Sequence, residues 1–253
     1  MLNILGIGLR GLKSITLEEA DVIRASETVY LDGYTSMLPA GAVGEISSFF
    51  QKEVVPVGRD FIEGKSPIID ICESRNVALL VVGDGMSATT HGILAASCRS
   101  RGIEVKVYEN ASIINAIPGR LGLYGYRMGP IVSLPFITGS FFPSSVFSKI
   151  YRNHENGMHT IVLLDLKDGR TIDTKQAFAW LKELESRSSL KHFLSEETIC
   201  VVSALYHDSE KIACGHIDDL MHEEFDSPSS IVILSKPDTY ESENINLLSG
   251  NKK

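Results

Sequence analysis

The chain has 253 residues, 43% of them hydrophobic and 22% charged, with a formal charge of −8 and a pI near 5.4. The length exceeds the roughly 100–200 residues of one ordinary domain, so two compact α/β lobes are expected; the acidic balance excludes a broad basic surface for duplex nucleic acid. No run approaches the ~20 apolar residues of a bilayer span, and the apolar start MLNILGIGL lacks the basic leader of a signal peptide, so the expected home is the cytoplasm.

In chain order, residues 2–8, 29–31, 54–57, 77–82 and 105–108 read as strands. Between them, residues 16–26 read as a helix opened by a capping box, in which Thr16 caps a free backbone N–H and Glu19 reaches back. A second helix is expected over 86–101, with Thr89 or Thr90 as cap and Gly102 as stop. Strand and helix alternating at this spacing predict a mostly parallel sheet with right-handed crossovers.

After Tyr108 the segment ENASIINAIPGRLGLYGY breaks the rhythm, placing a boundary near 110–118 and lobes at 1–112 and 113–253. The second lobe reads as strands at 131–134, 159–165, 199–205 and 230–234, with helices at 145–153, 173–187 and 218–224 and a mixed sheet. The tail from 241 is expected to fray at its end. Cys72, Cys98, Cys200 and Cys214 show no CxxC or Cys/His ligand spacing; they read as reduced core thiols, with no metal site.

Gly6-Ile-Gly8-Leu-Arg-Gly11 is a literal GxGxxG after a strand, and Asp32 closes the second strand where a dinucleotide-binding protein would hold a ribose. The spacing opposes that reading. A dinucleotide fold starts its helix within the glycine motif so that helical N–H groups meet the pyrophosphate, whereas here Leu12–Ile15 intervene before the capping box.

The stretch GIGL followed by SITLEEADVIRASETVYLDGYTS resembles the opening of the diphthine synthases, with their GLGL, DIT and YTS elements. In order, VGDGMSATTH (82–91) is similar to the family's GDP-x-x-ATTH segment, NASIINA (110–116) to its NASI or APSI segment, and GMHTIVLLDLK (157–167) to its G-x-HTL-x-x-LDIK segment. The resemblance implies the tetrapyrrole-methylase fold: two α/β lobes, the first with a mostly parallel sheet and the second with a mixed one, flanked by helices, with S-adenosylmethionine in the cleft between them. It further implies a homodimer that methylates the amino group of an aminocarboxypropyl-histidine on translation elongation factor two, releasing S-adenosylhomocysteine in a step of diphthamide biosynthesis, without direct nucleic-acid or membrane contact. Alternatives are a precorrin or uroporphyrinogen methyltransferase of the same fold and a non-catalytic nucleotide-binding protein. Carried over by motif, the cofactor contacts are Leu9, Asp84, Ser87, Ser112, Ile113 and Leu164, with Tyr206 and Ser230 where the family has other residue types. Gly85 stands where the family usually has Pro, which loosens the loop.

A sulfonium methyl donor brings its own activation, so the protein has to hold an unprotonated nitrogen in line with it. The sequence accordingly shows no nucleophile elbow and assigns no catalytic base. Asp84 follows the apolar strand ALLVVG and reads as a ligand carboxylate or as a turn cap. His91 and His159 read as bases or as structural imidazoles, and Asp165 and Lys167 as an internal pair, or Lys167 as facing a substrate carboxylate. Tyr34, Tyr124, Tyr126, Phe141 and Phe142 read as a cage for a methylated ammonium or as packing.

Overall fold

The five apolar runs of the first half form one all-parallel sheet in the order β3 (Val54–Val57), β2 (Thr28–Asp32), β4 (Val77–Val81), β1 (Leu2–Gly6), β5 (Val105–Tyr108). They belong to the first of two units, Met1–Ile113 and Ile114–Lys253, in a computed structural model that describes every residue except 65, 140, 168 and 250–253. Successive strand residues point to opposite faces, and both faces are covered. Helices α1 (Leu17–Ala25) and α2 (Ala42–Phe50) bury Ile23, Ile46 and Phe50 against Leu5, Ile7 and Leu80. On the other face α3 (Arg59–Ile62), α4 (Pro67–Ser74) and α5 (His91–Ser100) bury Ile62, Ile68, Leu94 and Cys98 against Leu2, Ile4 and Leu79. This two-sided burial is why β4 reads as the uninterrupted VALLV.

The capping box of α1 is present in both directions: the Thr16 hydroxyl accepts from Glu19 N–H and the Glu19 carboxylate accepts from Thr16 N–H. The next expected helix differs from its reading, since α5 begins only at His91. Neither expected threonine caps it. Thr90 occupies the cap position but donates its hydroxyl to Glu63 Oε1, and the residues before it are spent on a loop in which Ala88 is left-handed.

In the second unit the sheet runs β11 (Lys211–Gly215), β10 (Ile199–Ser203), β12 (Ser229–Ile233), β7 (Thr160–Leu164), β6 (Val132–Leu134), antiparallel except for the parallel β6–β7 pair. A two-stranded ribbon, β8 (Leu166–Lys167) with β9 (Arg170–Thr171), follows β7. The helices are α6 (Ile113–Leu121), α7 (Ser145–Glu155), α8 (Thr174–Ser186), α9 (Ile217–Leu220) and α10 (Thr239–Leu248); Phe147, Ile150, Phe178 and Leu181 of α7 and α8 pack in the core with Val162, Val201 and Ile231.

Two readings need correction here. The helix expected over 218–224 is the single turn α9. The tail carries α10, begun by a second capping box between Asp238 and Glu241, and its last residues, 250–253, lie outside those described. Cys200 and Cys214 are not free thiols: β10 and β11 place them directly opposite, and they are disulfide-bonded, whereas Cys72 and Cys98 are free and buried. The pairing follows from the antiparallel register of β10 and β11, which the spacing of the two cysteines does not announce. Among the described residues no helix is long and apolar enough to cross a membrane.

Candidate functional site

Chain direction sets the site in the first unit. From β1 the chain leaves toward α1 on one face, and from the neighbouring β4 toward α5 on the other, so the loops after these two strands diverge. Ligands bind at such switch points, outside the carboxyl ends of parallel strands.

The glycines of the GIGL motif are needed to join these loops. Gly8 and Gly83 exchange backbone hydrogen bonds, Gly8 N–H to Gly83 O at 3.0 Å and Gly83 N–H to Gly8 O at 2.8 Å. A methyl group on Gly6 would lie 2.7 Å from Gly83 O, and Gly8 and Gly83 both have positive φ. The motif therefore splices two loops rather than opening a helix onto phosphate; a short 3-10 turn, Gly11–Ser14, fills the gap before α1.

The loop after β5 joins the same knot. Asn110 N–H donates to Asp84 Oδ2 at 3.2 Å, while its side-chain amide donates to Ser14 O at 3.0 Å and to the capping carboxylate of Glu19. A methyl on Gly83 would stand 3.7 Å from Leu9 Cδ2 and 3.8 Å from Ser112 Cα. Leu9, Asp84, Ser87 and Ser112 are thus gathered at one sheet edge, and Ile113 follows as the first residue of α6. Asp84 shows both faces of its sequence reading. Its Oδ1 accepts from Met86 N–H at 3.0 Å and from the Ser87 hydroxyl at 2.8 Å, so it is a turn-former, yet it remains half-buried at the sheet edge.

Asp32 is closed to any ribose. Its side chain is wholly buried; Oδ1 accepts from Tyr34 N–H at 2.9 Å and Thr35 N–H at 3.1 Å, and Oδ2 accepts from the Thr35 hydroxyl. His91, also wholly buried, places Nε2 3.1 Å from Asp32 Oδ2, although the pair is not aligned as a hydrogen bond. Its Nδ1 lies 3.0 Å from Gly85 O and 2.9 Å from the Thr89 hydroxyl. Glu63 adds an outer tie, with Oε1 accepting from the Tyr34 and Thr90 hydroxyls. The YTS and ATTH segments, far apart in sequence, are therefore one polar cluster. Sequence reasoning missed Glu63, and it missed Asn110 as the residue that joins the loops, because both contacts are made between segments distant in the chain.

Burial, together with the Asp32 and Glu63 carboxylates, pushes the Tyr34 phenol up to about 12, so it stays protonated at neutral pH. The Tyr34 ring is faced by Arg59, with the guanidinium carbon 5.2 Å from its centroid, and Phe142 is faced by Arg187 at 4.2 Å. Tyr124 stacks between Tyr126 and Tyr240. Phe141 is exposed.

In the second unit, β12 runs against β7 and β10, so its beginning lies beside their ends. Leu164 at the end of β7, Tyr206 just after β10 and Ser230 near the start of β12 consequently share one sheet edge. Ser230 is buried opposite Leu163 and Val202; Tyr206 is left-handed, and its N–H donates to Glu210 Oε2 at 2.7 Å. His159 is buried between Ser235 N–H, which donates to Nδ1 at 3.0 Å, and Glu241 Oε1, 3.2 Å from Nε2. Glu241 also accepts from Arg127 at 2.6 Å and from Tyr124 N–H at 3.1 Å, which makes His159 part of a latch on α10. Asp165 and Lys167 form no ion pair; the Asp165 carboxylate accepts from the next backbone N–H.

Comparison with known proteins gives a consistent set of likenesses. Residues 1–204 match the family described as Tetrapyrrole (Corrin/Porphyrin) Methylases. The chain is 45% identical to the diphthine synthase of Thermoplasma acidophilum over 249 residues, 98% of this chain and 96% of that one. It is 33% identical to the diphthine methyl ester synthase of Saccharomyces cerevisiae, over 93% of this chain and 85% of the other. A crystal structure of diphthine synthase superposes with a TM-score of 0.88 at 26% identity, covering 99% of this chain and 96% of that one.

Proposed function

Because this chain belongs to the tetrapyrrole methylases and, within them, to the diphthine synthases, we propose that it moves methyl groups from S-adenosylmethionine to the amino group of an aminocarboxypropyl-histidine on translation elongation factor two. The observation that carries the reading is the knot of the loops after β1, β4 and β5, whose motif residues Leu9, Asp84, Ser87, Ser112 and Ile113 follow strands of a single sheet. Leu9 offers an apolar wall, and Asp84 a carboxylate with acceptor capacity left for a ribose hydroxyl or an ammonium. Leu164, Tyr206 and Ser230, at one edge of the second sheet, complete the proposed contacts. Bound there, the cofactor supplies an electrophilic methyl on a sulfonium. The chain has to exclude water and present a neutral amine; no base of its own is required, and Tyr34, held as a phenol, is not one.

The experiment is incubation with labelled S-adenosylmethionine and elongation factor two carrying the modified histidine. Label is expected on the protein in a form that resists mild base, as an N-methyl group does. Release by mild base would mean an ester is formed as well, the product in the name of the yeast relative. Transfer to a porphyrinoid acceptor, with none to the elongation factor, would overturn the reading. We further propose a cytoplasmic homodimer; light scattering should give about twice the 27.7 kDa chain mass, and a monomer would contradict it.

A further inference from the structure

We propose that His91, seated on Asp32, is a positioning residue: it fixes the shape of loop 83–87 by donating from Nδ1 to the carbonyl of Gly85. The proposal rests on the reading that this loop holds the cofactor. His91 is the first residue of α5, yet its ring does not serve that helix. It reaches back six residues to Gly85 O, at 3.0 Å, while Nε2 is backed by the buried Asp32 carboxylate at 3.1 Å. The helix behind it is anchored in the core by Leu94, Ala95 and Cys98. The imidazole therefore ties the near end of the loop to a rigid element.

The loop needs that tie. Gly85 has no side chain to restrict its φ, and Ala88 sits at φ 53°, a conformation L-residues avoid and keep only when their surroundings hold them there. Met86 and Ala88 are exposed and give the loop little packing of their own. Its start is tied by the Gly8–Gly83 backbone bonds; beyond Gly83 it is held by Asp84, which bonds Met86 N–H, the Ser87 hydroxyl and Asn110 N–H, and by His91, which bonds Gly85 O. Asp32 has a second task, since it also shapes the turn at Tyr34 and Thr35, so one buried carboxylate sets both loops.

Two substitutions separate the ring's two nitrogens. In His91→Asn the side-chain amide can donate from near the position of Nδ1, keeping the Gly85 bond; in His91→Gln it extends toward the position of Nε2 and keeps only the Asp32 contact. Calorimetric titration with S-adenosylhomocysteine should give His91→Asn an affinity within about threefold of wild type. His91→Gln should be weakened tenfold or more, with KM for S-adenosylmethionine raised and kcat largely retained, although the two variants melt at similar temperatures. Equal affinities in both variants, whether both intact or both reduced, overturn the role assigned to the Gly85 bond, as does a loss of affinity that tracks melting temperature. Wild-type protein that fails to bind S-adenosylhomocysteine overturns the cofactor reading itself, and this role with it.

Discussion

Each unit buries one histidine against one carboxylate, and the two pairs do opposite work. His91 with Asp32 lies at the carboxyl edge of a parallel sheet, and its ring nitrogens both face oxygens, those of Asp32, Gly85 and Thr89. Its contacts run from loop to loop, at the edge where a ligand would sit. His159 with Glu241 lies between a strand and the last helix; one nitrogen faces a carboxylate and the other a backbone N–H donor. Its contacts run from element to element and close the fold. The same two side-chain types, equally buried, thus serve loop shape in one unit and helix attachment in the other, and the difference lies in what the second nitrogen meets.

If that contrast is sound, the largest stability loss should come from the second pair. Glu241→Ala removes a fully buried carboxylate that accepts from Arg127, Tyr124 N–H and His159, leaving Tyr124 N–H and His159 Nε2 without that acceptor and Arg127 with backbone carbonyls alone, at about 3–5 kcal/mol. Urea denaturation followed by fluorescence of the single tryptophan, Trp180, reports on this unit. A loss of under about 1 kcal/mol would mean that α10 is held by packing alone.

Next in size is an effect on the loop of the first pair. A methyl group on Gly85 would lie 2.8 Å from Ile4 Cγ2, so Gly85→Ala should cost about 1–3 kcal/mol through overpacking. Ile4→Leu moves the branch off Cβ and removes that atom. The double variant should recover part of the loss, a coupling readable in a double-mutant cycle; strict additivity would show that Gly85 is required for some other reason. Asp84→Ala should act on binding more than on folding, weakening S-adenosylhomocysteine about tenfold, or ~1.4 kcal/mol, with little change in denaturation midpoint. Stability lost with affinity kept would make Asp84 a turn-former only.

These contrasts also mark what the sequence revealed. The parallel sheet was legible because its central strands β1 and β4 are buried along their whole length and read as almost unbroken apolar runs, and α1 because Thr16 and Glu19 announce it. Helix α2 gave no such signal, since it begins at left-handed Gly41 with no side-chain cap, whereas α4 does carry one, Pro67 at its first position after Ser66. The loops of the site were legible as motifs, but their joining was not. That Asp32 meets His91, or that Asn110 meets Glu19, depends on strand order, and the order β3-β2-β4-β1-β5 is set by packing of whole elements rather than by any local pattern. Glu63 stayed hidden for the same reason, since nothing in its own neighbourhood points to Tyr34.

The smallest expected effect tests the proton preference of the second pair. Ser235 N–H donates to His159 Nδ1, so the proton of the neutral ring sits on Nε2, facing Glu241. A second proton would have to go on Nδ1, where it would meet another donor and break that bond. Burial, helped by the nearby Arg127 charge, outweighs the attraction of Glu241 and holds the imidazole below its ordinary value of 6.5, and the donor at Nδ1 acts in the same direction. Below about pH 6.5 the unfolded chain therefore binds a proton that the folded chain refuses. The stability from this histidine is complete above that pH and declines as pH falls toward the depressed value, by at most about 1.4 kcal/mol per pH unit. His159→Asn keeps an acceptor within reach of Ser235 N–H but cannot titrate. Its unfolding free energy should fall less steeply with acid than that of wild type, starting just below pH 6.5. Parallel pH curves for the two proteins would show that His159 takes up its proton as readily folded as unfolded, and the distinction between the two histidines would then lose its basis in what Nδ1 meets.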